Sequence, residues 1–221
     1  MRGRGAFIAI VLLLAGAAAL VVFGAIDRWV AGLFFSPRDW FVGNREPYIT
    51  LRYATTIAAW GVGLFLLAGA VWRIALRRPF FGLTRGAIVY LLLVFLLGPV
   101  ILANGVLKEH WDRARPAHTE QFGGAKRYTP PLLIADQCKT NCSFVSGEAA
   151  LGFAFMAFGF VARTQARRRL GFAAGIGLGA LFGLLRMAEG GHYLSDVYFA
   201  GLFMALVAWP LQRWFAARGW L

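Results

Sequence analysis

The sequence predicts an all-α protein, an integral membrane bundle of six helices. Three observations predict it. The chain of 221 residues is 59% hydrophobic, with a mean hydropathy of +0.63. A soluble domain carries roughly 45–50% apolar residues even with glycine counted. The apolar residues collect in six stretches, at 6–26, 53–72, 86–107, 147–162, 170–185 and 197–215. The charged residues then divide unevenly between the two ends of those stretches.

A spanning helix needs about 20 mostly apolar residues. The first three stretches meet that length. The last three are shorter and reach it only if flanking polar residues enter the helix. Arg2 and Arg4 precede the first stretch, as in a signal peptide. Its apolar run is long for a signal core and no small-x-small site closes it, so a retained helix is expected. The fifth stretch carries Gly171, Gly175, Gly179 and Gly183 at every fourth position. Such a stripe lets another helix pack closely; a ligand groove is the other reading. A single domain over 1–221 is expected.

Charge placement sets the orientation. With the N-terminus in the cytoplasm, the cytoplasmic side holds Arg2, Arg4, Arg73, Arg77, Arg78, Arg85, Arg163, Arg167, Arg168, Arg169, Arg213 and Arg218, and no acidic residue. All 10 acidic residues fall on the other side. That is the pattern of positive-inside topology, with both termini cytoplasmic. The net charge of +13 therefore reads as topology and anionic-lipid contact. It does not read as a nucleic-acid surface, because the arginines hug helix ends.

Two connections on the outer side are long. Segment 27–52 carries Trp29, Trp40 and Tyr48, which suit a membrane interface; stretch 30–41 is either a short surface helix or an ordinary aromatic belt. Segment 108–145 is the longest loop, and loops of that length tend to be functional.

Three blocks on this outer side hold the candidate chemistry. In "KEHWDRARP", Lys108 and Arg115 flank a polar turn where the third helix ends. They can bind an anion, Arg through a planar fork, or simply snorkel to the interface. In "NCSFVSGEAA", Ser146 suits an N-cap and Gly147 follows it. A helix start there can bind phosphate or serve only as a cap, with Glu148 favoured by the dipole. In "RMAEGGHYLSD", His192 and Asp196 stand four apart. They share a face if the sixth helix begins near His192. A carboxylate on one imidazole nitrogen fixes the tautomer and leaves the other free to attack. A buried ion pair or a metal-ligand pair is the alternative. Ionisable groups at a membrane edge are costly, which leans this block toward function.

Taken in order, Lys108-x6-Arg115-Pro116, Ser146-Gly147 and Arg186-x5-His192-x3-Asp196 resemble the type 2 phosphatidic acid phosphatase (PAP2) superfamily. The resemblance covers the chain from the end of the third stretch to the start of the sixth, 108–196. It implies a membrane phosphatase of six helices that needs no metal or cofactor and acts on a phosphorylated lipid. His192 is expected to form a phosphohistidine and Asp196 to orient it. Lys108, Arg115, Ser146, Gly147 and Arg186 are expected to hold the phosphoryl oxygens. In the bacterial branch, the Arg-Ala-Arg-Pro turn and Ser-Gly-Glu block look most like lipid A phosphatases. Undecaprenyl diphosphate or phosphatidylglycerol phosphate are rival substrates, and phosphotransfer to a lipid is a rival reaction. The expected location is the bacterial inner membrane, with the active site facing the periplasm.

The second block departs from the family's Pro-Ser-Gly-His, reading Val145-Ser146-Gly147-Glu148. Glu148 stands where the family places the histidine that protonates the leaving oxygen. It is either that acid or a capping residue. A diphosphate or an anomeric phosphate leaves with least help, so the substitution points to such a substrate. Finally, Cys138 and Cys142 lie in the outer loop, where a bacterial periplasm permits a disulfide.

Overall fold

The computed structural model describes residues 2–76 and 82–221. Arg77 and Arg78 lie outside the described residues, as do the side chains of Arg2 and Arg4. The first stretch forms α1 (Arg2–Val22) and, past Phe23, α2 (Gly24–Gly32). The bend between Val11–Val22 and α2 is 83°. It turns Asp27 of α2 inward, where it is fully buried.

Of the two readings open for 30–41, a short surface helix or an aromatic belt, a helix covers only the beginning. α2 ends at Gly32, and β1 (Phe35–Ser36) pairs antiparallel with β2 (Trp40–Phe41). Aromatic residues bind this small hairpin to the long loop. Phe41 is fully buried, with Phe35 and Phe122 each 5.3 Å away between ring centroids. Tyr193 joins the same cluster, so the hairpin caps the end of the bundle where the three sequence blocks converge.

The second stretch is α3 (Tyr48–Leu76). Leu64, Leu67, Val71 and Trp72 are exposed along it, as a lipid-facing surface requires. The third stretch begins with α4 (Arg85–Phe95), whose cap Thr84 accepts from the Ala87 amide. Over Leu96–Leu107 the helix widens to π-type turns before α5 (Lys108–His110). Pro99 supplies the cause, since it has no N–H to donate. The Asn104 side chain donates to the Pro99 carbonyl at 2.6 Å.

The fourth stretch is broken. A turn at Phe155 and Met156 divides it into α6 (Gly147–Ala154) and α7 (Ala157–Val161). α8 (Gln165–Ala188) and α9 (Leu194–Ala217) reach full length by taking in polar flanks, Arg167 to Arg169 and Arg186 in α8 and Asp196 in α9. Among the described residues, Tyr48–Arg73, Arg85–His110, Gln165–Ala188 and Leu194–Ala217 are long and apolar enough to cross a membrane. The bent pair α1–α2 makes five if it counts as one span.

The glycine stripe of α8 serves packing. A Cβ on Gly152 of α6 would sit 2.6 Å from the Gly179 nitrogen, so only glycine permits this approach. α6 is thereby drawn into the core, where Ala149, Ala150, Leu151 and Ala154 join Leu91, Val94, Phe199 and Met204. The start of α6 is held at the centre of the bundle end.

Candidate active site

Backbone hydrogen bonds bring the three sequence blocks together. The Cys142 amide donates to the Lys108 carbonyl at 3.2 Å and the Ser143 amide to the Arg113 carbonyl at 2.9 Å. The Ser146 amide donates to the Asp196 carbonyl at 3.3 Å, joining the start of α6 to the start of α9. Ser146 caps α6, its hydroxyl accepting from the Ala149 amide at 3.3 Å. Gly147 faces Asn104 so closely that a Cβ would clash with that side chain.

His192 is fully buried in the turn between α8 and α9. Gly190, at φ +68°, makes that turn possible. α9 begins at Leu194, so His192 sits outside the helix and does not share a helical face with Asp196. Its Nδ1 lies 2.7 Å from the Ser143 carbonyl oxygen and 3.7 Å from Asp196 Oδ2. The hydrogen bond that fixes the tautomer therefore goes to Ser143. Asp196 acts one step further back: Oδ2 accepts from the Ser143 hydroxyl at 2.5 Å and from the Tyr193 amide at 2.8 Å. It braces the segment that grips the imidazole.

With Nδ1 donating to a carbonyl, Nε2 carries the lone pair. Nε2 is buried and has no hydrogen-bond partner. The group it faces is Glu148, whose Oε2 is 3.9 Å away. Burial pushes the His192 pKa down to about 4; Arg186 and Lys108 add to that, while Asp196 opposes it. The imidazole is thus held neutral.

Around Nε2 stand the expected cations. Arg186 pairs with Glu189 and lies 3.4 Å from Glu148 Oε1 through its Nε. Glu189 also pairs with Arg52 of α3 at 2.5 Å. Lys108 is buried, its Nζ 3.4 Å from Asn104 Oδ1. Arg115 donates twice to the Asn141 carbonyl, at 2.7 and 3.2 Å. Burial first, then the nearby Arg186, push the Arg115 pKa down. Cations that repel one another in a buried space favour an anion between them. A cavity of about 340 Å³ opens beside this group, lined in part by Thr56, Trp60, Asn104, Lys108 and Glu148. Among the described residues, no group of three or more His, Cys, Asp or Glu could hold a metal ion.

Cys138 and Cys142 form a disulfide, with Cα atoms 5.7 Å apart. Asn141, which receives Arg115, lies inside that small loop, and Glu109 accepts from its amide at 3.3 Å. The bridge shapes the segment holding both Arg115 and Ser143.

Several residues here were not singled out in the sequence. Ser143 and Glu189 offer no signal of their own. Arg113, one of several charges in the long loop, is fully buried and pairs with Asp27 and Asp196. Asp27 did carry a signal, a lone carboxylate at the edge of an apolar stretch.

Comparisons with known proteins give the arrangement a context. The family model of the PAP2 superfamily matches residues 86–220. A lipid A 4'-phosphatase of Francisella tularensis subsp. novicida is 34% identical over 195 residues, 86% of each chain. A lipid A 4'-phosphatase of Rhizobium leguminosarum is 44% identical over 122 residues, 51% of this chain and 50% of its own. One from Rhizobium etli is 45% identical over 103 residues, 46% of this chain and 39% of its own. No solved structure matches.

Proposed function

The chain belongs to the PAP2 superfamily, and from that premise we propose a lipid A phosphatase of the bacterial inner membrane, acting on the 4'-phosphate through His192. It works as one domain. Six crossings result if α1–α2 and α6–α7 each pass the membrane. The arginine partition supports cytoplasmic termini and a periplasmic site. A disulfide at the site end of the bundle suits the same oxidising side.

One observation carries the chemistry. His192 Nε2 is buried and unpartnered, while Nδ1 is tied to a carbonyl. A phosphate monoester placed between Lys108, Arg115 and Arg186, over the N-terminus of α6, would put phosphorus in front of Nε2. Ser146 and Gly147 supply the helix start for its oxygens. Nε2 attacks phosphorus, and the ester P–O bond breaks with its electron pair on the sugar oxygen. Positioning and charge neutralisation supply most of the catalysis.

The sugar oxygen needs a proton as it leaves. The relatives are named for the 4'-phosphate, an ester of an ordinary ring carbon and not of the anomeric one. That moves the reading away from the anomeric phosphate or diphosphate suggested by Glu148 alone. An alcohol leaving group gives Glu148 work to do. A phosphate monoanion brings a proton, since its second pKa is about 6. That proton can pass to Glu148 and on to the leaving oxygen. Water then attacks the phosphohistidine and gives its proton to Glu148, the P–N bond breaks with its electron pair on Nε2 to restore His192, and Glu148 returns the proton to the departing phosphate.

The test is phosphate release from lipid A carrying both phosphates, by the purified protein in detergent, with the lost position read by mass spectrometry. Loss of the 4'-phosphate, unaffected by EDTA and absent in His192→Ala, is expected. Release from a polyprenyl diphosphate with lipid A untouched would replace the substrate. Inhibition by EDTA with rescue by a divalent metal would replace the mechanism.

A further inference from the structure

Asp27 lies outside the stretch that matches the family model, yet its carboxylate is wired into the same centre. It is fully buried on α2, the short helix beyond the sharp bend at Phe23. Oδ1 accepts from the Ser195 amide at 2.8 Å, at the first turn of α9. Oδ2 accepts from the Ser195 hydroxyl at 2.5 Å, from Arg113 Nη2 at 2.8 Å and from the Tyr128 hydroxyl at 3.1 Å. Arg113 is likewise fully buried. Its other nitrogens donate to Asp196 Oδ1, to the Ser195 hydroxyl at 2.9 Å and to the Thr129 carbonyl at 2.8 Å. Two carboxylates thus share one guanidinium, with every polar atom of Asp27 and Arg113 engaged.

A buried ion network is weak evidence for stability, because desolvation offsets much of the attraction. What it does provide is fixed geometry. Here the path is short and continuous: Asp27 to Arg113 and Ser195, Arg113 to Asp196, Asp196 to the Ser143 hydroxyl, and the Ser143 carbonyl to His192 Nδ1. Asp27 also docks α2 on the N-terminus of α9, where a carboxylate is favoured by the free amides and the helix dipole.

We propose that Asp27 is a positioning residue for the phosphoryl transfer: through Arg113 and Ser195 it fixes Asp196, and so sets the Ser143 carbonyl that orients His192. The N-terminal α1–α2 segment is then part of the catalytic apparatus as well as a membrane anchor. This rests on His192 being the nucleophile. Asp27 bonds Arg113, Tyr128 and Ser195 and none of Lys108, Arg115 and Arg186, so its loss should leave that anion cradle in place.

The test compares wild type, Asp27→Asn and Asp27→Glu by two readouts. The first is kinetic. Asp27→Asn is expected to lower kcat by about 10- to 100-fold, the order expected when reacting groups are misplaced by about 1 Å. KM and inhibition by inorganic phosphate should stay near wild type, which a partly unfolded or cradle-damaged protein would not show. The second needs no substrate. In nitrogen-labelled protein without ligand, the His192 Nδ1–H resonance should be visible in wild type and shifted or exchange-broadened in Asp27→Asn. A folded Asp27→Asn with an unchanged resonance and wild-type kcat overturns the proposal. If Asp27→Asn does not accumulate, Asp27→Glu decides, since it keeps the charge and displaces the carboxylate from Arg113 and Ser195. A shifted His192 resonance supports the link, and an unchanged one overturns it. If wild type releases no phosphate from lipid A, the substrate reading fails while the resonance still tests Asp27.

Discussion

His192 Nδ1 lies 2.7 Å from the backbone carbonyl of Ser143 and 3.7 Å from the carboxylate of Asp196. The nearer contact is the hydrogen bond. Burial disfavours the imidazolium, and a carbonyl partner on Nδ1 offsets that less than a directly bonded carboxylate would. The carboxylate still matters, since it holds the Ser143 hydroxyl at 2.5 Å.

His192→Ala should therefore abolish phosphate release, with no phosphohistidine trapped from labelled substrate. Asp196→Asn, which removes one of the two carboxylate charges paired with Arg113 and weakens the grip on Ser143, should lower kcat strongly but leave measurable activity. Trapped phosphoenzyme, counted by acid-quenched labelling, checks both. Wild-type turnover in His192→Ala would end the proposed mechanism.

Glu148→Gln should lower kcat on a 4'-phosphate ester by about 10²–10⁴-fold, the usual contribution of a general acid. The same variant should lose far less on an activated aryl phosphate, whose leaving group needs no proton. Equal losses on the two substrates would make Glu148 a structural cap.

Arg115→Lys keeps the charge and loses the fork. Arg115 makes two hydrogen bonds to the Asn141 carbonyl from Nε and Nη2, which one ammonium cannot reproduce. Activity should stay well below wild type, with KM rising, in a steady-state comparison of Arg115→Lys and Arg115→Ala. Full activity in the lysine variant would show that only charge is used there.

The pH behaviour follows from His192. Its folded pKa is about 4, below the usual value near 6.5 because it is buried. In the free protein His192 should titrate well below the ordinary histidine range, read by nitrogen NMR against His192→Ala. The linkage has a definite sign. Between about pH 6.5 and 4 the unfolded chain takes up a proton that the folded chain refuses, so this contribution to stability is present above that window and lost as pH falls through it. A melting series in detergent from pH 7 to 5 should fall more steeply for wild type than for His192→Gln.

Cys138 and Cys142 should resist alkylation without reductant and take two labels after reduction, counted by intact mass. Reduction should also lower phosphate release, because Asn141 and Ser143 flank Cys142 and hold Arg115 and His192. Two labels without reductant would remove the bridge.

Much of the candidate site could be singled out in the sequence because an anion cradle and a nucleophile call for particular residue types at short spacings. Lys108, Arg115, Ser146, Arg186, His192 and Asp196 each stand at the end of an apolar stretch, where a charged or capping side chain is conspicuous. The helices followed from composition, since in a membrane a backbone must bond to itself. The break at Phe155 and Met156, the widened turns after Phe95 and the bend at Phe23 were not legible. They arise from packing and from freed backbone groups, which a hydropathy pattern does not record.

By itself the sequence determined a mostly helical membrane protein and singled out a cationic block, a helix start and a histidine as candidates for one site. Only the tertiary structure decided which groups touch. Ser143, not Asp196, holds the imidazole, and Asp27 reaches Ser195 across 168 positions of chain. The physical reason is that spacing along one helix can be counted, whereas a buried hydrogen bond between distant segments exists only after the bundle closes and each polar group must find a partner.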